Sequence, residues 1–319
     1  MPRYHSSMSS APPAIGDGLS AFEKARPRLF GIAYRMLGSA AEAEDVVQDC
    51  WTRWQSTDRG GVRDPQAFLA TTTTRLAINV LHSARTRREA YVGPWLPEPV
   101  DTSADPRVGA ERAEALEFAV LLLLERLSPA ERAAYVLREA FNYAYGEIAE
   151  VLHVEEANAR QLVSRARQHV LDGRRARVSD DEQRRLLHAF TSAAQTGDVA
   201  ELERLFAADV VSRADGGGFI RAAQKPVVGR ERVAKYIATI APWGWGGLTI
   251  TAIQANGQAC ALMLRAGVVA MLVTIEASPD GIEEILWIMR PSKLTRVATS
   301  LSPRAPMDTA DPKPGPQEP

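Results

Sequence analysis

Cysteine is nearly absent from this chain, and the rest of its scarcities narrow the field further. The only two cysteines, Cys50 and Cys260, lie in separate apolar segments of the 319 residues. That excludes a disulfide-stapled scaffold and fits a reducing cytoplasm. No apolar run approaches the roughly 20 residues of a membrane span, and the N-terminus lacks a charged-then-apolar export pattern. A cytoplasmic protein with no membrane partner is therefore expected. Charge of one sign is missing too: 38 Lys and Arg against 39 Asp and Glu leave a net charge of −1, so the average announces no nucleic-acid partner. His82 has no second His or Cys at ligand spacing, so neither a metal nor a cofactor is expected.

What is present is unevenly spread. Apolar content of 45% and charge of 24% are those of a globular protein, and the length suits two or three domains. The most informative stretch is Tyr143 to Val170. Ile148, Ala149 and Leu152, then Ala159, Leu162, Val163, Ala166 and Val170, mark two short helices by their spacing. Leu152-His153-Val154 forms the corner of a helix-turn-helix. The outward face of the second helix carries Asn158, Arg160, Gln161, Ser164, Arg165 and Arg167, side chains that match base edges in a major groove. Arg174, Arg175 and Arg177 follow, suited to phosphates. The alternative is a solvated amphipathic hairpin.

Two further helices carry opposite charge. In AAEAEDVVQDCWTRWQ, Ala43, Val46, Val47, Cys50 and Trp54 form a buried stripe, leaving Glu42, Asp45 and Asp49 with Gln48 beside them. That acidic row either meets a basic partner or is simply solvated. After the DRGGVRDP loop, Pro65 opens a helix that buries Phe68, Leu69, Leu76, Ile78 and Leu81. It presents Arg75, Asn79, His82, Arg85, Arg87 and Arg88, with no acid between Arg75 and Arg88. Such a patch follows a phosphate backbone. The four threonines at 71–74 are poor helix formers and need support from packing or a partner.

These segments resemble a known family. AEDVVQDCWTRWQ and AFLATTTTRLAINVLHSARTRR look like the sigma-2 domain of bacterial RNA polymerase sigma factors; SPAERAAYVLREAFNYAYGEIAEVLHVEEANARQLVSRARQHV resembles sigma-4. The absence of a longer intervening domain is that of the extracytoplasmic-function (ECF) group. The resemblance implies two all-α domains and no enzymatic activity, with core RNA polymerase and promoter DNA as partners. On the polymerase side these are the β′ clamp helices and the β subunit. It places Asp45, Gln48 and Asp49 on the β′ clamp helices. The loop from Asp58 to Asp64 falls where a flipped base of the −10 element is captured. Arg75, Asn79, His82 and Arg85, with Arg87 and Arg88 in the same patch, fall on the melted −10 strand. The face from Asn158 to Arg167 falls on the −35 duplex. Two departures stand out: His153 occupies the corner where glycine is usual, and Glu155 stands where Ser commonly caps.

The linker contains Trp95-Leu96-Pro97-Glu98-Pro99. Its prolines forbid helix; it is either a stiff spacer or a docking segment, and WLPEP resembles the linker of ECF factors with a fused SnoaL-like (NTF2-like) domain. The third block fits an α+β cone with a curved antiparallel sheet, its hairpins marked by Asn256-Gly257 and Asp280-Gly281. Asp215-Gly216-Gly217-Gly218 and Lys293 match regulatory motifs of such factors, although Phe219 replaces the Lys that often follows the glycines, and Arg290-Pro291-Ser292-Lys293-Leu294 keeps only Pro, Lys and Leu of the second motif. The expected layout is a disordered N-terminus (1–20), sigma-2 (21–90), linker (91–110), sigma-4 (111–178), the SnoaL-like domain (183–295) that regulates the factor intramolecularly, and a disordered tail (296–319). His188, Asp209, Asp215, Glu276, Glu283 and Glu284 form no recognisable catalytic constellation. An unknown small ligand in the C-terminal pocket, a one-component DNA-binding regulator and an enzyme of aldol-cyclase or isomerase type stay open as alternatives.

Overall fold

A computed structural model describes residues 15–100, 117–173 and 177–301. The first helical unit comprises α1 (Ile15–Leu37), α2 (Ala40–Ser56) and α3 (Pro65–Glu89), with a 3₁₀ turn at Arg59–Gly61. The second comprises α4 (Phe118–Leu124), α5 (Pro129–Tyr135) running into a π turn (Val136–Ala140), α6 (Tyr145–Leu152) and α7 (Glu156–Gly173). Ser39 caps α2 through Glu42 N–H, and Ser128 and Glu131 form a reciprocal capping box on α5, which satisfies amide groups that a helix start leaves open. Of the N-terminal stretch expected to be disordered, residues 15–20 are helical and residues 1–14 lie outside the described residues; the Gly18 carbonyl accepts from Trp54 Nε1 at 2.8 Å, and this tertiary contact holds the first turns. α1 continues through Pro27, with Ala25, Leu29 and Phe30 around it buried. Thr73 and Thr74 are fully buried, the packing support their poor propensity requires.

The two helical units share one hydrophobic core, running from Phe22 and Leu29 through Trp54 and Leu76 to Leu137, Leu162 and Val170. The third unit has α8 (Asp180–Thr196), α9 (Val199–Leu205), β1 (Phe206–Asp215), β2 (Val227–Val228), α10 (Arg230–Gly244), β3 (Leu248–Ala255), β4 (Gln258–Arg265), β5 (Val268–Ser278), β6 (Gly281–Ile288) and α11 (Pro291–Leu301). The sheet order is β2-β1-β6-β5-β4-β3. It is mixed, which corrects the antiparallel expectation: β1 runs parallel to β6. The 65-odd residues between them supply the long crossover that parallel pairing requires. Residues 296–301 extend α11 rather than a disordered tail, because Leu294 and Val297 bury one side of that helix.

Each face of the sheet is covered. Met263, Val273, Ile275, Ile285 and Trp287 pack against α8–α10. On the opposite face Cys260, Leu262, Leu272, Leu286 and Ile288 meet Leu294 and Val297 of α11, but also Leu96 of the linker and Phe118 of α4.

Candidate nucleic-acid interface

The α6–α7 pair has the geometry its sequence demands. His153 takes the left-handed conformation (φ 55°, ψ 49°), an uncommon state for a side-chain-bearing residue, and Val154 N–H closes on the Ala149 carbonyl at 3.0 Å. Ala159, Leu162, Val163, Ala166 and Val170 are buried, while Asn158, Arg160, Gln161, Ser164, Arg165 and Arg167 are all exposed. The arginines are tethered to neighbours. Arg167 reaches Glu139 at 2.6 Å and Arg165 reaches Glu131 at 3.3 Å. Arg160 pairs with Glu156 and lies over the Tyr145 ring at 4.8 Å. These are exposed pairs, worth little each, and a phosphate can displace them. Arg174 and Arg175 lie outside the described residues.

The α3 patch is engaged differently. Asn79 and His82 are exposed. Arg75, however, sends Nε to the Val151 carbonyl and Nη2 to the Glu150 carbonyl, both at 2.9 Å. Its fork thus caps the C-terminal end of α6, where carbonyls lack helical partners and the dipole favours a cation. The side chains of Arg85, Arg87 and Arg88 lie outside the described residues. On α2, Asp45, Gln48 and Asp49 are exposed together. Their neighbour Glu44, which sequence reasoning passed over, binds Arg26 at 2.7 Å and Arg296 of α11 at 3.1 Å.

The linker is gripped from two sides. Leu96 to Val100 is buried. From the sheet side, Asp215 accepts Leu96 N–H at 2.9 Å and the Tyr91 hydroxyl at 2.5 Å. Lys293 binds Asp215 at 2.6 Å, donates to the Leu96 carbonyl and lies 4.1 Å from the Trp95 ring centroid. Burial pushes the Tyr91 hydroxyl up to about 12, so it remains a donor. Gly217 (φ +55°) has no room for a side chain, since a Cβ would meet Tyr91 Oη at 2.7 Å. Phe219, in place of a lysine, is largely exposed, with the Arg290 guanidinium over its ring at 5.2 Å.

From the helical side, the Glu98 carboxylate accepts from Ala40 N–H at 2.8 Å, Ala41 N–H at 3.2 Å and the Ser39 hydroxyl at 3.2 Å. It sits at the N-terminus of α2, where a helix favours an anion. Tyr34 joins the two sides: its hydroxyl donates to the Glu98 carbonyl at 2.7 Å and accepts from Asn256 Nδ2 at 2.6 Å. Asn256 also exchanges two 2.9 Å bonds with the Val100 backbone. Pro97 and Pro99 are buried between these contacts. Nothing in the sequence of Asn256, Tyr34 or Glu44 signalled these roles.

The space between α8–α10 and the sheet is occupied by aromatic rings. Phe190 and Trp245 meet Trp287 at centroid distances of 5.8 and 6.1 Å, and Phe206 lies 6.1 Å from Phe190. Cavities open elsewhere: one of ≈ 180 Å³ between Glu117, Arg177 and the sheet residues Arg213, Glu276 and Glu284, and one of ≈ 470 Å³ between Val92 and the glycine loop. His188 and Asp209 are exposed, and Asp215 is spent on the linker. Among the described residues no His, Cys, Asp and Glu group suits a metal ion, and no helix is long and apolar enough to cross a membrane.

Comparison with known proteins agrees with this layout. Residues 21–88 match the family model for sigma-70 region 2, and 117–170 that for sigma-70 region 4. The chain is 40% identical over 225 residues to the ECF RNA polymerase sigma factor SigJ of Mycobacterium tuberculosis, covering 69% of this chain and 72% of that one. It is 29% identical over 286 residues to the probable ECF RNA polymerase sigma factor SigI of the same species, covering 88% of this chain and 96% of that one. The crystal structure of SigJ superposes with a TM-score of 0.70 at 32% identity, covering 87% of this chain and 98% of that one.

Proposed function

The chain belongs to the ECF RNA polymerase sigma factors, and on that premise we propose that its third unit is a built-in regulator that holds the two promoter-binding units together. As a sigma factor the chain is a transcription initiation factor rather than an enzyme, and it acts with core RNA polymerase on promoter DNA. In the proposed reading, residues 21–90 serve as sigma-2, 111–178 as sigma-4 and 183–295, with the α11 extension, as a SnoaL-like (NTF2-like) domain. Asp45, Gln48 and Asp49 dock on the β′ clamp helices. Arg75, Asn79, His82, Arg85, Arg87 and Arg88 hold the −10 strand, and the exposed face of α7 meets the −35 duplex.

One observation carries the regulatory part: Arg75 grips α6 at 2.9 Å. The −10 and −35 elements lie about 25 base pairs apart, roughly 85 Å along B-DNA at about 3.4 Å a step. A conformation in which the −10 helix touches the −35 unit cannot span them. Arg75 must leave the Glu150 and Val151 carbonyls before it meets DNA. The WLPEP clasp supports the same reading, because Asp215 and Lys293 fix the linker whose length would let the two units part. The aromatic filling of the cup favours a docking role over a ligand-binding one.

The test is reconstituted transcription from core polymerase with the full chain, with Lys293→Ala and with a chain truncated after sigma-4. Loosening the clasp is expected to change promoter-directed transcription, and dyes on α2 and α7 should move apart. Identical transcription and an unchanged dye distance in all three would refute the regulatory reading. Reversing charge at Asp45 and Asp49 is expected to abolish binding to core polymerase without altering duplex DNA binding by α7.

A further inference from the structure

The exposed face of α7 is not uniform. At about 100° per residue, the buried residues Ala159, Leu162, Val163, Ala166 and Val170 define the inward side. Directly opposite runs a stripe of Ala157, Gln161, Ser164 and Gln168, spaced four, three and four residues apart and exposed throughout. The arginines are not on this stripe. Arg160 and Arg167 fall on one flank, and Arg165, with Asn158, on the other. Each arginine is also drawn sideways by a neighbour: Arg167 by Glu139, Arg165 by Glu131, and Arg160 by Glu156 and the Tyr145 ring.

We propose, building on the assignment of α7 to the −35 duplex, that the central stripe reads base edges while the flanking arginines hold phosphates on the two walls of the groove. The chemistry of the stripe assigns each position a partner. Gln161 presents a paired donor and acceptor, the match for an adenine through N6 and N7. Ala157 offers only a methyl group, the match for the thymine methyl. The two positions are four residues apart, about 6 Å along the helix, close to two base-pair steps of roughly 3.4 Å. Ser164 accepts either partner, and Gln168 is a weaker reader because its amide already donates to Asp172 at 2.7 Å. The specificity at the centre of the site is therefore for an A·T pair set by an amide, not for a guanine set by arginine, although arginine is the commonest reader of a base in a major groove.

The experiment uses the full chain with core polymerase on promoters in which each −35 base pair is changed in turn, reading transcription and promoter occupancy against salt. Gln161→Ala is expected to flatten the preference at one A·T position by about tenfold or more and to leave the other positions as they were. Arg165→Ala and Arg167→Ala are expected to weaken all promoters by a common factor and to make the salt dependence shallower by about one for each arginine lost. All three sites are exposed, so the variants should fold. A base profile unchanged by Gln161→Ala, or one flattened at a G·C position by either arginine variant, overturns the division of roles while the −35 assignment stands. A wild-type profile with no −35 preference overturns that assignment itself.

Discussion

Both faces of the sheet carry a buried apolar cluster, yet they are covered by different means. One is closed by the module's own helices, with Phe190 and Trp245 against Trp287. The other borrows Leu96 from the linker and Phe118 from α4, both 0% exposed. A fully buried Leu or Phe contributes about 1.5–3 kcal/mol, so the borrowed face is an interface with the chemistry of a core. The third unit is thus held to the linker and the second helical unit by area out of water more than by surface charge. Leaving them uncovers apolar surface on both partners.

The largest effect is expected where the borrowed face meets the buried Lys293–Asp215 ion pair. Lys293→Ala leaves Asp215, itself 0% exposed, without its cation. Breaking a buried pair from one side costs about 3–5 kcal/mol. Urea unfolding of the full chain should show that loss, and proteases should cut the linker around Leu96. A variant as stable as the parent would mean that the Leu96 amide and the Tyr91 hydroxyl alone satisfy Asp215.

Next in size is the contrast that tests the two faces directly. Phe118→Ala and Phe190→Ala each remove a buried ring, and each is expected to cost roughly 3 kcal/mol or more. Their consequences should differ. Phe190→Ala weakens the module internally and lowers its melting temperature with the units still together. Phe118→Ala weakens only the contact between units. Dyes on α4 and β4 should separate in the second variant alone. Equal separation in both would erase the distinction between an owned and a borrowed face.

How much of this was legible beforehand depends on the range of the interaction. Local signals worked: the stripe Ala159–Leu162–Val163–Ala166–Val170 gave α7, and Asn256-Gly257 and Asp280-Gly281 marked two of the sheet's tight turns, with Asn256 at φ 55°. A third turn, at Ala266-Gly267, carries the same left-handed pair and was missed because alanine is an unusual first residue there. The parallel pairing of β1 with β6 leaves no local trace, since alternation is the same in either direction. Two signs of the borrowed face lie in the sequence itself. Phe118–Leu124 reads FAVLLLL, apolar on every side, which marks a helix buried all round. ALML in β4 and MLV in β5 are continuous rather than alternating runs, the mark of a strand covered on both faces. Arg75, Glu44 and Asn256 act on partners between 75 and 252 residues away, and spacing along the chain cannot announce them.

A smaller, pH-dependent effect is expected at the rim of the borrowed face, in the cavity that Glu117 and Arg177 share with the sheet. Burial, with Glu117 and Glu284 nearby, raises the Glu276 carboxyl from 4.5 to about 7, against the opposing pull of Gln258 and Arg177. A carboxyl raised in the folded state favours folding while protonated. Its contribution is complete below about pH 4.5, falls as the pH climbs toward about 7 and is gone above it. The loss is on the order of 3 kcal/mol at most. Glu276→Gln should remove this slope between pH 5 and 7.5 in urea midpoints, and a wild-type stability that rises over the same range would contradict the assignment.

The smallest effect concerns α11, which lies on the borrowed side. Its Arg296 crosses to the first helical unit, 3.1 Å from Glu44 and 5.4 Å from the centre of the Phe30 ring. The Arg296 and Glu44 side chains are partly exposed, while the Phe30 ring is buried. An exposed ion pair contributes about 0–1 kcal/mol, and a cation that stays partly hydrated over a ring about 0.5–1 kcal/mol. Arg296→Ala is therefore expected to cost about 1 kcal/mol, with most of the ionic share lost in high salt. Arg296→Lys should keep the charge and lose part of the stacking. Glu44 also holds Arg26 at 2.7 Å, so its carboxylate stays paired when Arg296 is removed, and this keeps the cost low. A loss of several kcal/mol would mean that charge rather than apolar area closes the molecule, reversing the ranking of Phe118 above every surface contact.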